Sequence, residues 1–541
     1  MKLINNFLKL IISKQPIVVL LIINIIYFVG IRLIFGFTYE SNDDPAFENM
    51  LRGVYWNTPI TNFYFYHRGI AVIFVWLYQN LDIGINWYGF SLILSNFLSV
   101  FIISVLIQKR TGNFLFVILF LMINLQNVFL VSFTRVSLLL SFSAFLLLHF
   151  SYLLKYKKIL IVGSLLIFLW AFLMRPNTAY LAFILLIPFL YSGKLNFHFF
   201  KSISYLLIPF LIGISLLFVV NNVQDKVFTK DLKNAAKITF PILDYQADVK
   251  TTTIEEENAV FEIKNWFFFH KALLNTDLTK DLLGSSFIET YSFNRLFDRT
   301  MALSYKIIFK PFFFFLLVLV LIFTILSKQN RITGILILLY FFSVLLSISM
   351  LLKMEFRILI PILTICLLFF IFYFSKRITN LVKKEKLRST IVGVLILGVF
   401  VFQSYLYYTR SSANPPKSQL ANQDLYQKTH NKTVFLMSDV FFNYEPLKFI
   451  PFSQNISLVP LTGWISYNEQ TYKFQLTQFG TNDIISIFDK IKNRNDYIFV
   501  ASEEQISILE EIFLRRGIKG NFAVFNDACL GKQYKLYRLE K

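Results

Sequence analysis

Runs of about 20 mostly apolar residues recur along this chain, and a run of that length is what a helix needs to cross the hydrocarbon core of a bilayer. They extend from Pro16 to Phe37, Asn86 to Ile107, Phe114 to Leu130, Val136 to Leu154, Ile159 to Met174 and Thr178 to Tyr191. Further runs cover Ser202 to Val220, Tyr305 to Leu326, Ile332 to Leu352, Ile358 to Phe374 and Thr390 to Tyr408. With 56% hydrophobic and 16% charged residues over 541 positions, the chain cannot be a single soluble core. The expectation is a polytopic α-helical membrane protein of about eleven transmembrane helices.

A formal charge of +21 would suggest nucleic acid in a soluble protein, but the basic residues sit in alternate connections between spans. Lys2, Lys9 and Lys14 precede the first span, and Lys109-Arg110, Lys155 with Lys157-Lys158, Lys194, Lys328 with Arg331, Lys376-Arg377 and Lys383 to Arg388 follow at every second turn. This is the positive-inside pattern, so the N-terminus is expected in the cytoplasm of a multi-pass cell-membrane protein, with the bilayer and not nucleic acid as its partner. Tyr66 to Tyr78 is apolar but about half a span long, and counting it would invert every later connection; it reads as a helix at the outer interface. The first run is too long for a signal-peptide core and lacks a small-residue cleavage site, so it is expected to remain as an anchor. Cys366 lies in a span and Cys529 near the C-terminus, which makes a disulfide between them implausible.

On this topology residues 1–409 form the transmembrane domain, with outer loops at 38–85 and 221–304. Residues 410–431, containing Ser411-Ser412-Ala413-Asn414-Pro415-Pro416, form a linker. Residues 432–541 read as a small extracytoplasmic α/β domain, with strands at Thr433–Met437, Tyr497–Ala501, Phe522–Phe525 and Tyr534–Tyr537, and helices at Asp483–Lys492 and Glu503–Arg515. In the middle loop, Thr251-Thr252-Thr253 before Glu255-Glu256-Glu257 predicts a capped helix start leading into Trp266-Phe267-Phe268-Phe269, a helix lying on the membrane surface or a scaffold over the spans.

The chain carries neither a Gly-x-x-x-x-Gly-Lys-Ser/Thr phosphate loop nor a His-Glu-x-x-His pair, so nothing supports ATP hydrolysis or a zinc protease. Chemistry-bearing residues gather instead at the expected outer ends of spans. Asp43 and Asp44 stand just beyond the first span, with Arg32, Arg135, Arg175, Lys353, Glu355 and Arg357 at comparable depth. Each basic group alone is an ordinary snorkelling residue; together, around an outward cavity, they suit a phosphate-bearing lipid.

The stretch Glu40 to Arg52, reading Glu-Ser-Asn-Asp-Asp-Pro-Ala-Phe-Glu-Asn-Met-Leu-Arg, with Asn86-Trp87-Tyr88 opening the next span and Arg357 to Pro361 in a late one, resembles the GT-C glycosyltransferases. That class includes oligosaccharyltransferases, protein O-mannosyltransferases and lipid A aminoarabinose transferases. The resemblance implies an inverting hexosyl- or pentosyltransferase that moves a sugar from a polyprenyl-phosphate donor to a glycan or lipid acceptor, in cell-envelope polysaccharide or glycolipid assembly. It implies catalytic roles for Asp43, Asp44 and Glu48, with Asp44 favoured as base and Glu48 one helical turn further on. Arg135, Arg175, Lys353 and Arg357 would hold the donor phosphate, and His67, Arg68 and Trp464 the acceptor. Some members carry a second acidic motif, whereas Asn124 to Arg135 contains no carboxylate; the pattern requires no metal, and a divalent ion stays an option. A lipid-linked polysaccharide polymerase or ligase shares most of these features, and a flippase or transporter is the further alternative.

Overall fold

The computed structural model describes residues 16–61, 63, 67–81, 83–151, 157–190, 230–269, 276–309, 331–351, 354–384, 431–437, 444–449, 457–463, 465–466, 469–530 and 534–540, with isolated positions between them. The runs predicted at 202–220 and 390–408, most of that at 305–326 and nearly all of the linker at 410–431 fall outside those residues.

The apolar runs that are described are helices. Five are long and apolar enough to cross a membrane: α1 (Pro16–Ile34), α4 (Trp87–Thr111), α7 (Phe133–Phe150), α14 (Arg331–Leu351, apolar from Gly334) and α15 (Phe356–Lys384, apolar to Tyr373). α8 (Lys157–Met174) and α9 (Pro176–Leu190) are shorter and equally apolar. α7 is the centre, packed by α4, α8, α9 and α15, with 89% of its residues buried. α1 buries a single stripe, Leu20, Asn24, Phe28 and Ile31, and leaves Ile22, Ile26, Val29 and Leu33 exposed, as a helix at the lipid boundary does. Lipid is as apolar as leucine, so helices here are held by close packing and hydrogen bonds. Ser137 of α7 shows both, lying 2.6 Å from the Thr178 hydroxyl and donating to Ala171 O at 2.7 Å.

The run 114–130, expected as one span, is broken into α5 (Phe114–Ile123) and α6 (Leu125–Phe129) at Asn124. Asparagines occupy the break: Asn127 Nδ2 donates to Asn124 Oδ1 at 2.8 Å and to Thr364 Oγ1 at 2.9 Å, and Asn96 Nδ2 donates to Asn127 O at 2.7 Å. Side-chain amides thus occupy the place where the regular backbone ladder is interrupted, which is what lets a helix break inside a bundle.

At one end of the bundle lie β1 (Thr38–Tyr39), α2 (Asp43–Arg52), α3 (Arg68–Asn80) and β2 (Leu130–Val131). α3 is the short helix expected near Tyr66 to Tyr78. The middle loop holds α10 (Lys230–Tyr245), α11 (Ile254–Lys264), α12 (Thr276–Thr290) and α13 (Phe293–Phe309). The predicted capping box is present, with Thr253 and Glu256 exchanging side-chain and backbone bonds. In the aromatic run after it Trp266 is exposed, whereas Phe267, Phe268 and Phe269 are buried; Phe267 bridges Thr462, and Phe269 packs on Phe488 with ring centroids 5.4 Å apart.

The C-terminal part is built on a five-stranded sheet of order β4-β3-β5-β7-β6: β3 (Thr433–Leu436), β4 (Ser457–Pro460), β5 (Tyr497–Ala501), β6 (Asn521–Leu530) and β7 (Tyr534–Glu540). β4, β3 and β5 are parallel, and β7 and β6 antiparallel. α16 (Glu469–Phe479), α17 (Ile485–Ile491) and α18 (Glu503–Arg515) complete it. The strands and helices expected from sequence are present, while β4 and α16 were not foreseen; β4 is an edge strand ending in Pro460, and a proline argues against a strand reading.

Candidate functional site

Beyond α1 the chain is tied down at once. β1 pairs in parallel with β2, Thr38 opposite Leu130 and Tyr39 opposite Val131, and the Glu40 N–H donates to Val131 O at 2.9 Å. This fixes residues 40–44 over the N-terminus of α7. Ser132 caps that helix, accepting from the Arg135 N–H.

Asp44 lies against the same first turn. One of its oxygens accepts from the Phe133 N–H at 3.0 Å and from the Tyr88 hydroxyl at 2.8 Å; the other faces the Ser41 hydroxyl at 3.4 Å. A helix N-terminus offers unpaired N–H groups and the positive end of the dipole, so a carboxylate fits there. Asp44 is 0% exposed. Burial pushes its carboxyl up to about 7, the Asp43 charge adds to that, and the Tyr88 and Phe133 hydrogen bonds and the Arg357 charge oppose it. The neighbouring Asp43 carboxylate is secondary to burial.

Asp43 faces the other way. It pairs with the Arg357 guanidinium, which also donates to Ser41 Oγ at 3.2 Å, and the two side chains are 23% and 22% exposed. Arg175, between α8 and α9, donates to Thr134 Oγ1, lies over the Phe133 ring at 5.0 Å, and is within electrostatic reach of Arg357, Asp43 and Asp44. Two guanidinium groups and one partly exposed carboxylate therefore lie within electrostatic reach of one another.

The other residues singled out from sequence take different places. Glu48 does share a face with Asp44, but it is buried and accepts from Asn86 Nδ2 at 2.7 Å, from Arg52 at 3.1 Å and from the Tyr39 hydroxyl at 3.2 Å; burial pushes it up to about 7. Arg135, expected at the donor phosphate, is 0% exposed: it pairs with Glu40 at 2.5 Å and donates to Gln126 O at 2.7 Å. Its fork is engaged inside the protein, locking the loop to α7. His67 caps α3, with Nδ1 accepting from the Gly69 N–H at 3.0 Å, and burial pulls its imidazole below the ordinary value. The His67 backbone N–H donates to Leu173 O at 3.2 Å, two residues before Arg175. Arg68 opens α3, half-buried. Lys353 and Trp464 lie outside the described residues. Among the described residues no three His, Cys, Asp or Glu side chains gather as metal ligands would.

No family model and no curated protein matches this chain. Among solved structures it aligns with a crystal structure of ArnT from Cupriavidus metallidurans in the apo state, covering 97% of this chain and 98% of that one, at 11% identity and a TM-score of 0.38.

The residues that hold the acidic helix were not assigned roles from sequence. Asn86, the N-cap of α4, accepts from the Gly89 N–H at 3.0 Å and from the Tyr78 hydroxyl at 2.9 Å while donating to Glu48. Tyr88, in the first turn of the same helix, holds Asp44. Asn86-Trp87-Tyr88 thus clamps both buried carboxylates of α2 from a neighbouring span, and Glu40 does the same service for Arg135. An asparagine before an apolar run signals a cap; its second bond, to a residue 38 positions earlier, has no local signature.

Proposed function

We propose that this protein is a membrane glycosyltransferase of the GT-C kind, which moves a sugar from a polyprenyl-phosphate donor to a glycan or lipid acceptor on the extracytoplasmic side. The reading is supported above all by partly exposed Asp43, paired with Arg357 and within electrostatic reach of Arg175 at the end of an apolar bundle. The side assignment rests on the basic connections, which the positive-inside rule puts in the cytoplasm.

In this mechanism the acceptor oxygen bonds to the anomeric carbon as the carbon–oxygen bond to phosphate breaks, and the acceptor proton passes to a carboxylate. Polyprenyl phosphate leaves as an anion, so it needs positive charge around it more than a proton, and Arg357 and Arg175 supply that. Asp43 is the better base of the pair, because a base must touch the hydroxyl it deprotonates and Asp44 is sealed off. Asp44 then acts as a positioning residue that pins α2 to α7. A single displacement inverts the anomeric configuration.

The test is transfer from a defined polyprenyl-phosphate sugar by membranes carrying matched amounts of wild type, Asp43→Asn and Asp44→Asn. Asp43→Asn is expected to lower the rate by about 10²–10⁴-fold, the usual contribution of a positioned base, without loss of folded protein. Full activity in Asp43→Asn would remove it as the base, and full activity in both would remove the acidic pair from the chemistry.

A further inference from the structure

Segment 444–449 of the C-terminal part touches the acidic helix and two of the elements that hold it, β1 and α4. In a strand, successive N–H groups point to opposite edges. The Glu40 N–H goes to β2, and the Tyr39 N–H goes the other way, to Tyr444 O at 2.8 Å. Two residues on, Pro446 O sits against the first turn of α4: a Cβ on Gly89 would lie 1.9 Å from that oxygen and 2.6 Å from the Tyr39 hydroxyl. Only glycine admits an approach this close. Three residues further, the Phe449 ring lies 4.4 Å from the guanidinium of Arg52, which is paired with Glu48.

We infer that segment 444–449 is a strap by which the C-terminal part positions Asp43. The contacts fall on β1, which leads into Asp43; on the start of α4, which supplies Asn86 and Tyr88; and on the C-terminal turn of α2. A helix of ten residues is marginal in isolation, so α2 holds its shape and direction only through such contacts. Two of the three are backbone carbonyls of the strap, and one needs a missing side chain on the partner, so the fit is specific in position and not merely apolar. The inference rests on the reading of Asp43 as the reacting carboxylate, and places the specificity of its orientation in a part of the chain more than 390 residues away from it.

Hydrogen exchange on the full chain in lipid nanodiscs, read beside transfer activity, tests it. In Gly89→Ala and Phe449→Ala, exchange across residues 38–52 is expected to rise about ten-fold or more, with β3 and β5 still protected, and kcat to fall while KM for the donor is kept. Phe449→Tyr, which keeps a ring over Arg52, is expected to restore both. Wild-type exchange at 38–52 in Phe449→Ala overturns the strap, and that variant decides the matter if Gly89→Ala fails to fold. Asp43→Asn is expected to lower transfer by about 10²–10⁴-fold with wild-type exchange. If no form of the protein transfers sugar, the proposed function fails, and the exchange of residues 38–52 still decides whether the strap exists.

Discussion

Asp43 and Asp44 are neighbours in sequence and differ by about 100° of helical rotation, which is enough to leave one partly exposed and send the other into the protein. Their chemistry diverges accordingly. Burial raises Asp44 from 3.8 to about 7, and Glu48 from 4.5 to about 7. Below about pH 4 these groups are protonated in both folded and unfolded chains. As pH rises from there to about 7 the unfolded chain releases protons that the folded one keeps, so the folded state loses stability across that window. Asp44→Asn removes one titrating group. The apparent unfolding midpoint of wild type in detergent is therefore expected to fall relative to Asp44→Asn as pH is raised from about 4 to 7; parallel curves would contradict a raised Asp44.

At the scale of elements, the site depends on how loop 38–44 is fastened to α7. β1 and β2 contribute two residues each, too few to hold by themselves. The buried Glu40–Arg135 pair reinforces them. Removing one partner of such a pair leaves an uncompensated charge and costs about 3–5 kcal/mol, whereas replacing both by apolar groups costs less. Glu40→Met and Arg135→Met are each expected to destabilise the protein by about that amount in denaturant unfolding, with the double variant well short of the sum. Additive losses would mean that the two side chains do not act as a pair.

For the whole molecule, the C-terminal sheet and its helices are joined to both loop regions. Tyr55 forms a parallel bridge with Leu458, and the Thr61 N–H reaches Gln470 Oε1 at 3.3 Å. On the other side, Arg516 pairs with Glu262 at 2.7 Å and Arg515 lies 4.3 Å over the Phe261 ring. Glu262 is nearly fully buried, and burial pushes it up to about 7, so above that value its charge depends on Arg516. Arg516→Met at pH 8 is expected to weaken docking by about 3 kcal/mol, read as a rise of about 100-fold in protease cleavage between 444 and 466. Unchanged cleavage would mean that the other contacts carry the docking alone.

The sequence by itself determined most of the apolar helices that are described, the short helix at Arg68, the capped start at Thr253, the strands at Thr433 and Tyr497, and an acidic pair just beyond the first apolar helix. Each is written in a local pattern: the length of an apolar run, a cap three residues from its partner, a short buried strand. The tertiary structure alone decided which carboxylate meets solvent, that Arg135 is held by Glu40, that Asn86 and Tyr88 clamp α2, that Asn124 breaks a span, and that Phe267 to Phe269 face the C-terminal sheet. Those outcomes depend on where a polar or aromatic side chain finds its partner, and here the partners lie tens to hundreds of residues apart, beyond the reach of any periodicity. Apolar length sets where a chain enters the bilayer; only the packed fold settles which of two adjacent charges it can leave uncovered.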